Sequence, residues 1–116
     1  MQTVIRVISN RSESLRDRIV NDPDLGRYQL SIVQEKKKGR NRGWAKVTGG
    51  RNAQGALNLE WQPSARILLG RIVTRGGSCP ALLAACYVHY LLSRYRDEIV
   101  SIQIWTQEDA GNEESE

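Results

Sequence analysis

R-I-L-L-G-R-I-V-T, residues 66–74, is the stretch that best indicates the fold. Its leucine and β-branched side chains predict a strand, with apolar residues on both faces. A strand that is apolar on both faces is typical of the centre of a sheet. Gly70 within it predicts a bulge or a close backbone approach. The other elements are therefore expected to lie around a central strand at 66–74.

The chain on either side of this strand alternates between further strands and two helices. Apolar and β-branched patterns predict strands at 3–8, 28–34, 44–48, 56–61 and 99–105. One helix is expected from a cap near Asn10 or Ser12 to about Asn21, and a second from Pro80 to about Glu98.

The element order β-α-β-β-β-β-α-β predicts an α+β fold. We expect a two-layer sandwich in which a mixed sheet of five or six strands carries both helices on one face. Each helix would make a right-handed crossover if its flanking strands are parallel. In the first helix, Leu15 and Ile19 form the apolar edge, and Arg16, Asp17 and Arg18 are predicted to face water.

The charge of the chain divides it into a basic body and an acidic tail. Of its thirteen acidic residues, five lie in 108–116, so residues 1–107 hold seventeen cations and eight acids, a net charge of +9. The sequence therefore predicts a single domain at 1–107 followed by a short acidic tail at 108–116. Such a tail either competes for a binding groove or is simply unstructured.

Composition favours a soluble protein of the cytoplasm. No apolar run approaches the ~20 residues needed to span a bilayer, and no leader pattern opens the chain. Cys79 and Cys86 do not form a disulfide framework, which fits a reducing compartment.

The segment Glu35–Arg51, E-K-K-K-G-R-N-R-G-W-A-K-V-T-G-G-R, carries seven cations and a single acid. It predicts a hairpin whose tip is the stretch 36–42. A partner that neutralises these mutually repelling charges is the favoured explanation, and a nucleic-acid backbone is the commonest such partner. The alternative is a solvated hairpin tip that discourages edge pairing. The predicted nucleic-acid-binding residues are Lys36, Lys37, Lys38, Arg40, Arg42, Trp44, Lys46 and Arg51.

Single-stranded DNA or RNA is the favoured ligand. Trp44 lies among the cations, where its ring is expected either to stack on an unpaired base or to pack inside the protein. Arginine outnumbers lysine thirteen to four, which suits phosphate contacts and stacking. The sequence shows no recognition helix or zinc finger, so sequence-specific reading of a duplex is not expected.

Other chemistry has less support in the sequence. The stretch Arg75, Gly76, Gly77 and Ser78 precedes a helix and is a candidate anion site, although most such junctions are only turns. The potential metal ligands Cys79, Cys86 and His89 are one short of a structural zinc site, and Cys86 is better explained as a buried apolar residue. No catalytic constellation is apparent. We therefore expect a non-enzymatic protein with no cofactor, metal, small-molecule substrate or membrane contact.

The alternative function is a homodimeric protein-interaction module whose basic hairpin docks an acidic partner. Apolar residues of the second helix, including Tyr87, Leu91 and Tyr95, extend beyond the roughly 100° that one sheet covers. Two-fold pairing would cover the excess. A homodimer is therefore predicted, with an interface at the second helix or at a sheet edge.

Overall fold

A computed structural model describes residues 2–51, 53–73 and 80–107. These residues form one compact α+β fold with a six-stranded sheet. The elements in chain order are β1 (Gln2–Ser9), α1 (Leu15–Val20), β2 (Leu30–Gln34), β3 (Trp44–Gly49), β4 (Ala56–Gln62), β5 (Ile67–Val73), α2 (Pro80–Arg94) and β6 (Ile99–Gln107). Short 3₁₀ turns at Leu25–Tyr28 and Arg96–Glu98 precede β2 and β6. Along the chain, the strands and α-helices follow one another in the predicted order.

The prediction of a mixed sheet was wrong. The strand order is β2-β3-β4-β5-β1-β6, and every pair of neighbours is antiparallel. Each helix does connect strands that run in the same direction, but those strands are not neighbours. β1 lies between β5 and β6, and three strands separate β1 from β2. β1 therefore separates β5 from β6, the two strands that flank α2 and that could otherwise have formed a parallel pair.

The core forms between one face of the sheet and the apolar sides of the helices. Along β4, Leu57, Leu59 and Trp61 are buried and alternate with half-exposed residues, as the sequence predicted. They belong to the same buried cluster as Leu15 of α1 and Tyr87 of α2. The other side chains of the strands form the opposite surface of the sheet, which we call the outer face.

β5 occupies a central position, as its composition predicted, but only one of its faces meets the core. Leu68, Gly70 and Ile72 are buried, whereas Leu69 is half exposed on the outer face. At Gly70 neither a bulge nor a close backbone approach is present, because the register with β1 and β4 is regular and a Cβ there would lie 3.6 Å from the nearest backbone atom, the carbonyl oxygen of Ile5. The glycine instead leaves room for the side chain of Leu57, whose Cδ1 would lie 3.0 Å from such a Cβ.

Both helices are shorter than predicted. Ser14 caps α1, since its hydroxyl accepts the N–H of Asp17 at 3.1 Å. Asn10 lies before this cap and takes part in another contact: its N–H donates to the carbonyl of Glu98 at 2.8 Å and its Nδ2 to the carbonyl of Asp97 at 3.1 Å, which ties the end of β1 to the start of β6. α2 ends at Arg94 and is followed by the turn that buries Glu98.

Some predictions fall on residues outside the described ranges. They are the anion site at Arg75, Gly76, Gly77 and Ser78, the possible ligand Cys79, and the acidic tail 108–116. Within the described ranges, the helices are too short or too polar to cross a lipid bilayer.

Candidate nucleic-acid interface

The cationic segment forms the connection of an antiparallel hairpin, as predicted. β2 pairs with β3, and residues 35–43, here called the basic loop, join them. The loop cations Lys36, Lys37, Lys38, Arg40 and Arg42 are all exposed. Lys46 follows on β3, where it is half exposed on the outer face, and Arg51 is exposed in the turn after β3.

Arg16 fastens the basic loop at both ends. Its Nη2 donates to the carbonyl of Glu35 at 2.5 Å, where the loop begins, and its Nε donates to the carbonyl of Trp44 at 3.0 Å, where the loop ends. Nη1 bonds the carboxylate of Asp17 at 2.7 Å. The side chain is buried, so the prediction that Arg16 faces water was wrong. A buried guanidinium with three satisfied donors fixes the distance between the two ends of the loop.

The loop also has internal turns. The N–H of Arg40 donates to the carbonyl of Lys37 at 3.0 Å, with Gly39 at a φ of +87° between them. The side chain of Asn41 accepts the N–H of Gly43 at 2.9 Å. A Cβ at Gly43 would lie 2.5 Å from the carbonyl oxygen of Trp61, so only glycine fits there. These contacts hold the cations of the loop in one arrangement.

Trp44 is buried, with 3% of its surface exposed. Its side chain lies on the outer face, and the guanidinium carbon of Arg40 is 5.8 Å from the ring centroid. A base has no access to the ring in this conformation, so of the two alternatives expected for Trp44, stacking and packing, the geometry favours packing. The ring instead makes a cation–π contact with the guanidinium of Arg40.

The cations of this region differ in their partners from five arginines elsewhere. Carboxylates pair with Arg11, Arg16, Arg18, Arg27 and Arg94. No ion pair joins a cation of the basic loop, or Lys46, to any carboxylate in the described part of the chain, and the same holds for Arg6, Arg66, Arg71 and Arg96. Within the described residues, the charge of the basic loop is therefore not neutralised by an ion pair.

Two cavities lie on either side of Lys37 and Arg40. One, of about 400 Å³, opens on the outer face and is also lined by Lys46 and Asn58. The other, of about 300 Å³, is lined by Arg16, Lys36, Lys37, Arg40, Asn41 and Arg42. Both present several cationic donors to one volume, the arrangement that binds phosphate groups.

The outer face brings together further candidate residues that the sequence patterns did not indicate. Register pairs connect Lys46 to Asn58, Asn58 to Arg71, Arg71 to Val4, and Val4 to Trp105. We call this line of five residues the cross-strand row. At the ~4.8 Å spacing of neighbouring strands, it extends for about 19 Å.

Trp105 at the end of the row is 38% exposed, and the guanidinium carbon of Arg6 lies 5.5 Å from its ring centroid. Gln103 accepts two hydrogen bonds from the same guanidinium. The signal in the sequence was a cation at the outward position of an otherwise apolar strand, as for Arg6 between Ile5 and Val7 and for Arg71 before Ile72.

A second polar cluster is internal and already satisfied. The carboxylate of Asp22 accepts hydrogen bonds from the hydroxyl of Tyr90 at 2.8 Å and from the N–H of Asp24 at 2.9 Å, and pairs with Arg94 at 3.3 Å. Burial acts to raise the pKa of Asp22, but these hydrogen bonds and Arg94 together lower it. Burial, with the bonds to Tyr95 and Asp22, raises the pKa of Tyr90. The cluster joins the end of α1 to α2.

No set of three potential metal-binding side chains comes together in the described ranges. Cys86 is half buried, and His89 is exposed with its ring against that of Tyr28 at 5.4 Å. Comparison of the chain with family models, with curated proteins and with solved structures gives no match in any of the three.

Proposed function

We propose that this protein binds nucleic acid, with single strands favoured over duplexes. The observation that carries the proposal is the set of exposed cations on the basic loop and Lys46, which have no carboxylate partner in the described residues. These cations, which have no carboxylate partner among the described residues, are concentrated in one loop that Arg16 holds at both ends. Such a loop offers a site for a polyanion.

Phosphates are expected to sit along the two cavities that share Lys37 and Arg40. The cross-strand row then extends the site from Lys46 through Arg71 toward the far edge of the sheet. Because these contacts are made to the phosphate backbone of the nucleic acid, they favour no particular base sequence.

The single-strand preference rests on an exposed aromatic ring. Trp44 is covered by Arg40, so stacking is assigned to Trp105, which lies on the same outer face beside Arg6. A tryptophan flanked by an arginine is a platform for an unpaired base, whereas a base inside a duplex has no free face to stack.

The test is a fluorescence anisotropy titration with a labelled single strand and with the corresponding duplex, each at two salt concentrations. Affinity for the single strand should be higher and should fall steeply with salt, since released counterions accompany each phosphate contact. Lys37→Ala/Arg40→Ala should weaken binding and reduce the salt slope by about two. The matched control, Arg27→Ala/Arg96→Ala, removes two exposed arginines elsewhere. Absence of binding at low salt would refute the proposal.

A second candidate function is a protein-interaction module whose basic loop docks an acidic partner. The burial of Trp44 favours it, because the loop itself then offers charge without an exposed ring. Poly-glutamate is the discriminating probe. Binding to it with an affinity equal to that for a single strand of the same charge would favour this function.

A further inference from the structure

β6 is a long edge strand whose register with β1 shifts only at its start, between Ile8 and Ser9. Among the described strands its one neighbour is β1, so no described strand pairs the backbone donors and acceptors on its other side. Over nine residues, I-V-S-I-Q-I-W-T-Q, it contains neither a charged residue nor a proline. Val100 is 63% exposed, Ile104 54% and Trp105 38%. Such an edge is a template for another strand.

The opposite edge of the sheet is protected in the usual ways. β2 has only five residues, its register with β3 shifts between Ile32 and Gln34, and it leads directly into the lysines of the basic loop. Short length, irregularity and lysine all discourage pairing at an edge. β6 shares the irregularity at one end, but it is nine residues long against five, so it offers the longer uncharged edge.

We propose that β6 pairs antiparallel with β6 of a second copy about a two-fold axis, which joins two sheets into one of twelve strands. Antiparallel pairing continues the pattern of the whole sheet, and an uncharged strand meets no repulsion from its own copy. Of the apolar arc of α2, Tyr87 and Leu91 are covered by the core of their own chain, whereas Leu82 and Leu92 are exposed, so only part of the arc remains on the surface.

Charge complementarity identifies the occupant as a second copy. In an antiparallel pair, the Gln107 end of one β6 lies beside the Ile99 end of the other. The five acids of the tail at 108–116 follow Gln107 directly. At the Ile99 end, a cavity of about 280 Å³ is lined by Arg11, Arg18, Arg94 and Arg96 with Asp97 and Glu98. Arg11 and Arg18 share Glu98, Arg94 pairs with Asp22 and Asp24, and Arg96 has no ion pair within the described residues. The acids that follow Gln107 in the sequence would therefore come near Arg96 and near the two arginines of the other copy that share one carboxylate.

The arrangement leaves the outer face accessible, since edge pairing extends a sheet without covering its faces. It does not depend on nucleic-acid binding and is tested without a ligand. Sedimentation equilibrium of the full chain should give a dimer at micromolar concentration. Val100→Lys/Ile104→Lys should weaken the dimer at least tenfold, because four ammonium groups would gather at the seam. A monomeric wild type, or an unchanged dimer in this variant, would overturn the proposal.

Two controls separate this interface from the alternatives. Val33→Lys places one lysine per chain on the opposite edge, where the side chain is 53% exposed, and should leave the dimer unchanged. Leu92→Lys tests the exposed side of α2, and loss of the dimer in this variant alone would transfer the interface to the helix. A chain that ends at Gln107 should dimerise more weakly and with less dependence on salt. Equal dimerisation with and without residues 108–116 would contradict the role given to the tail.

Discussion

Arg16 of α1 donates to the carbonyl of Trp44, twenty-eight residues further along the chain, with a distance of 3.0 Å from Nε to the oxygen. The same guanidinium bonds the carbonyl of Glu35, so one side chain in the short first helix sets the geometry of the basic loop. The surface proposed to bind nucleic acid is therefore held in place by a residue that is itself buried.

Replacement of Arg16 should release the loop. Arg16→Ala removes hydrogen bonds to two carbonyls and should lower the free energy of unfolding by about 2 to 4 kcal/mol. It should also speed tryptic cleavage within 36–42 under native conditions. Arg16→Lys is the matched control for charge, and since a single ammonium cannot reproduce the planar fork, it should restore the stability only in part. Equal cleavage rates in all three proteins would contradict the role of Arg16.

Removal of a tyrosine hydroxyl in α2 should affect the stability differently at Tyr90 and at Tyr87. Tyr90 donates to the buried carboxylate of Asp22, so Tyr90→Phe should cost about 1 to 3 kcal/mol. The hydroxyl of Tyr87 is buried and has no hydrogen-bond partner in the described residues, so Tyr87→Phe should leave the stability unchanged or raise it. Urea unfolding of both variants measures the difference. A larger loss in Tyr87→Phe would show that its hydroxyl has a partner.

Alkaline pH should destabilise the fold through the same residues. Burial raises the pKa of Tyr87 and, with its hydrogen bonds, that of Tyr90. The unfolded chain therefore loses these protons first, and the stabilising contribution declines as pH rises above about 10. The loss should approach 1.4 kcal/mol per pH unit for each tyrosine. Tyr87→Phe should show a shallower decline than the wild type in unfolding measured from pH 9 to 11.

Acid should weaken the cluster at Asp22. The pKa of this carboxyl is lowered in the folded state, so its contribution is present above the unfolded value of about 3.9 and is lost as pH falls through the folded value. Asp22→Asn should be less stable than the wild type at neutral pH, and the difference should shrink below about pH 4. A difference that stays constant from pH 7 to 3 would show that ionisation of Asp22 is not involved.

The two outer-face tryptophans should separate binding from folding. Trp105→Ala should reduce the affinity for single strands about tenfold while stability changes little, since the ring is exposed at an edge. Trp44→Ala should instead destabilise the fold, because its ring is buried. Bound single strands should quench tryptophan emission in the wild type and not in Trp105→Phe. Full affinity in Trp105→Ala would remove the stacking contact from the proposal.

Local patterns in the sequence predicted much of the fold. Period-two alternation located β4, the composition of 66–74 gave the central strand, and the glycine-rich cationic segment gave the hairpin. The neighbour relations did not follow, because the insertion of β1 between β5 and β6 depends on contacts between distant segments that no window of sequence contains.

The burial of individual side chains was harder to predict from the sequence than the elements of the fold. Arg16 occupies a polar position of a helix, and only the approach of the loop to α1 makes that position internal. Trp44 and Trp105 look equivalent as tryptophans in strands. Their exposure differs because Arg40 covers one ring, while the other lies on an edge strand with neighbours on a single side.

The position of β1 has a consequence for synthesis. β1 leaves the ribosome before any other described element, yet its pairing partners are residues 67–73 and 99–107. It must therefore wait, apolar and without hydrogen-bonded neighbours, until β5 has been made, while β2, β3 and β4 can already pair with one another. During translation, β1 is therefore apolar and unpaired for longer than β2, β3 or β4, and an exposed apolar strand is prone to aggregate.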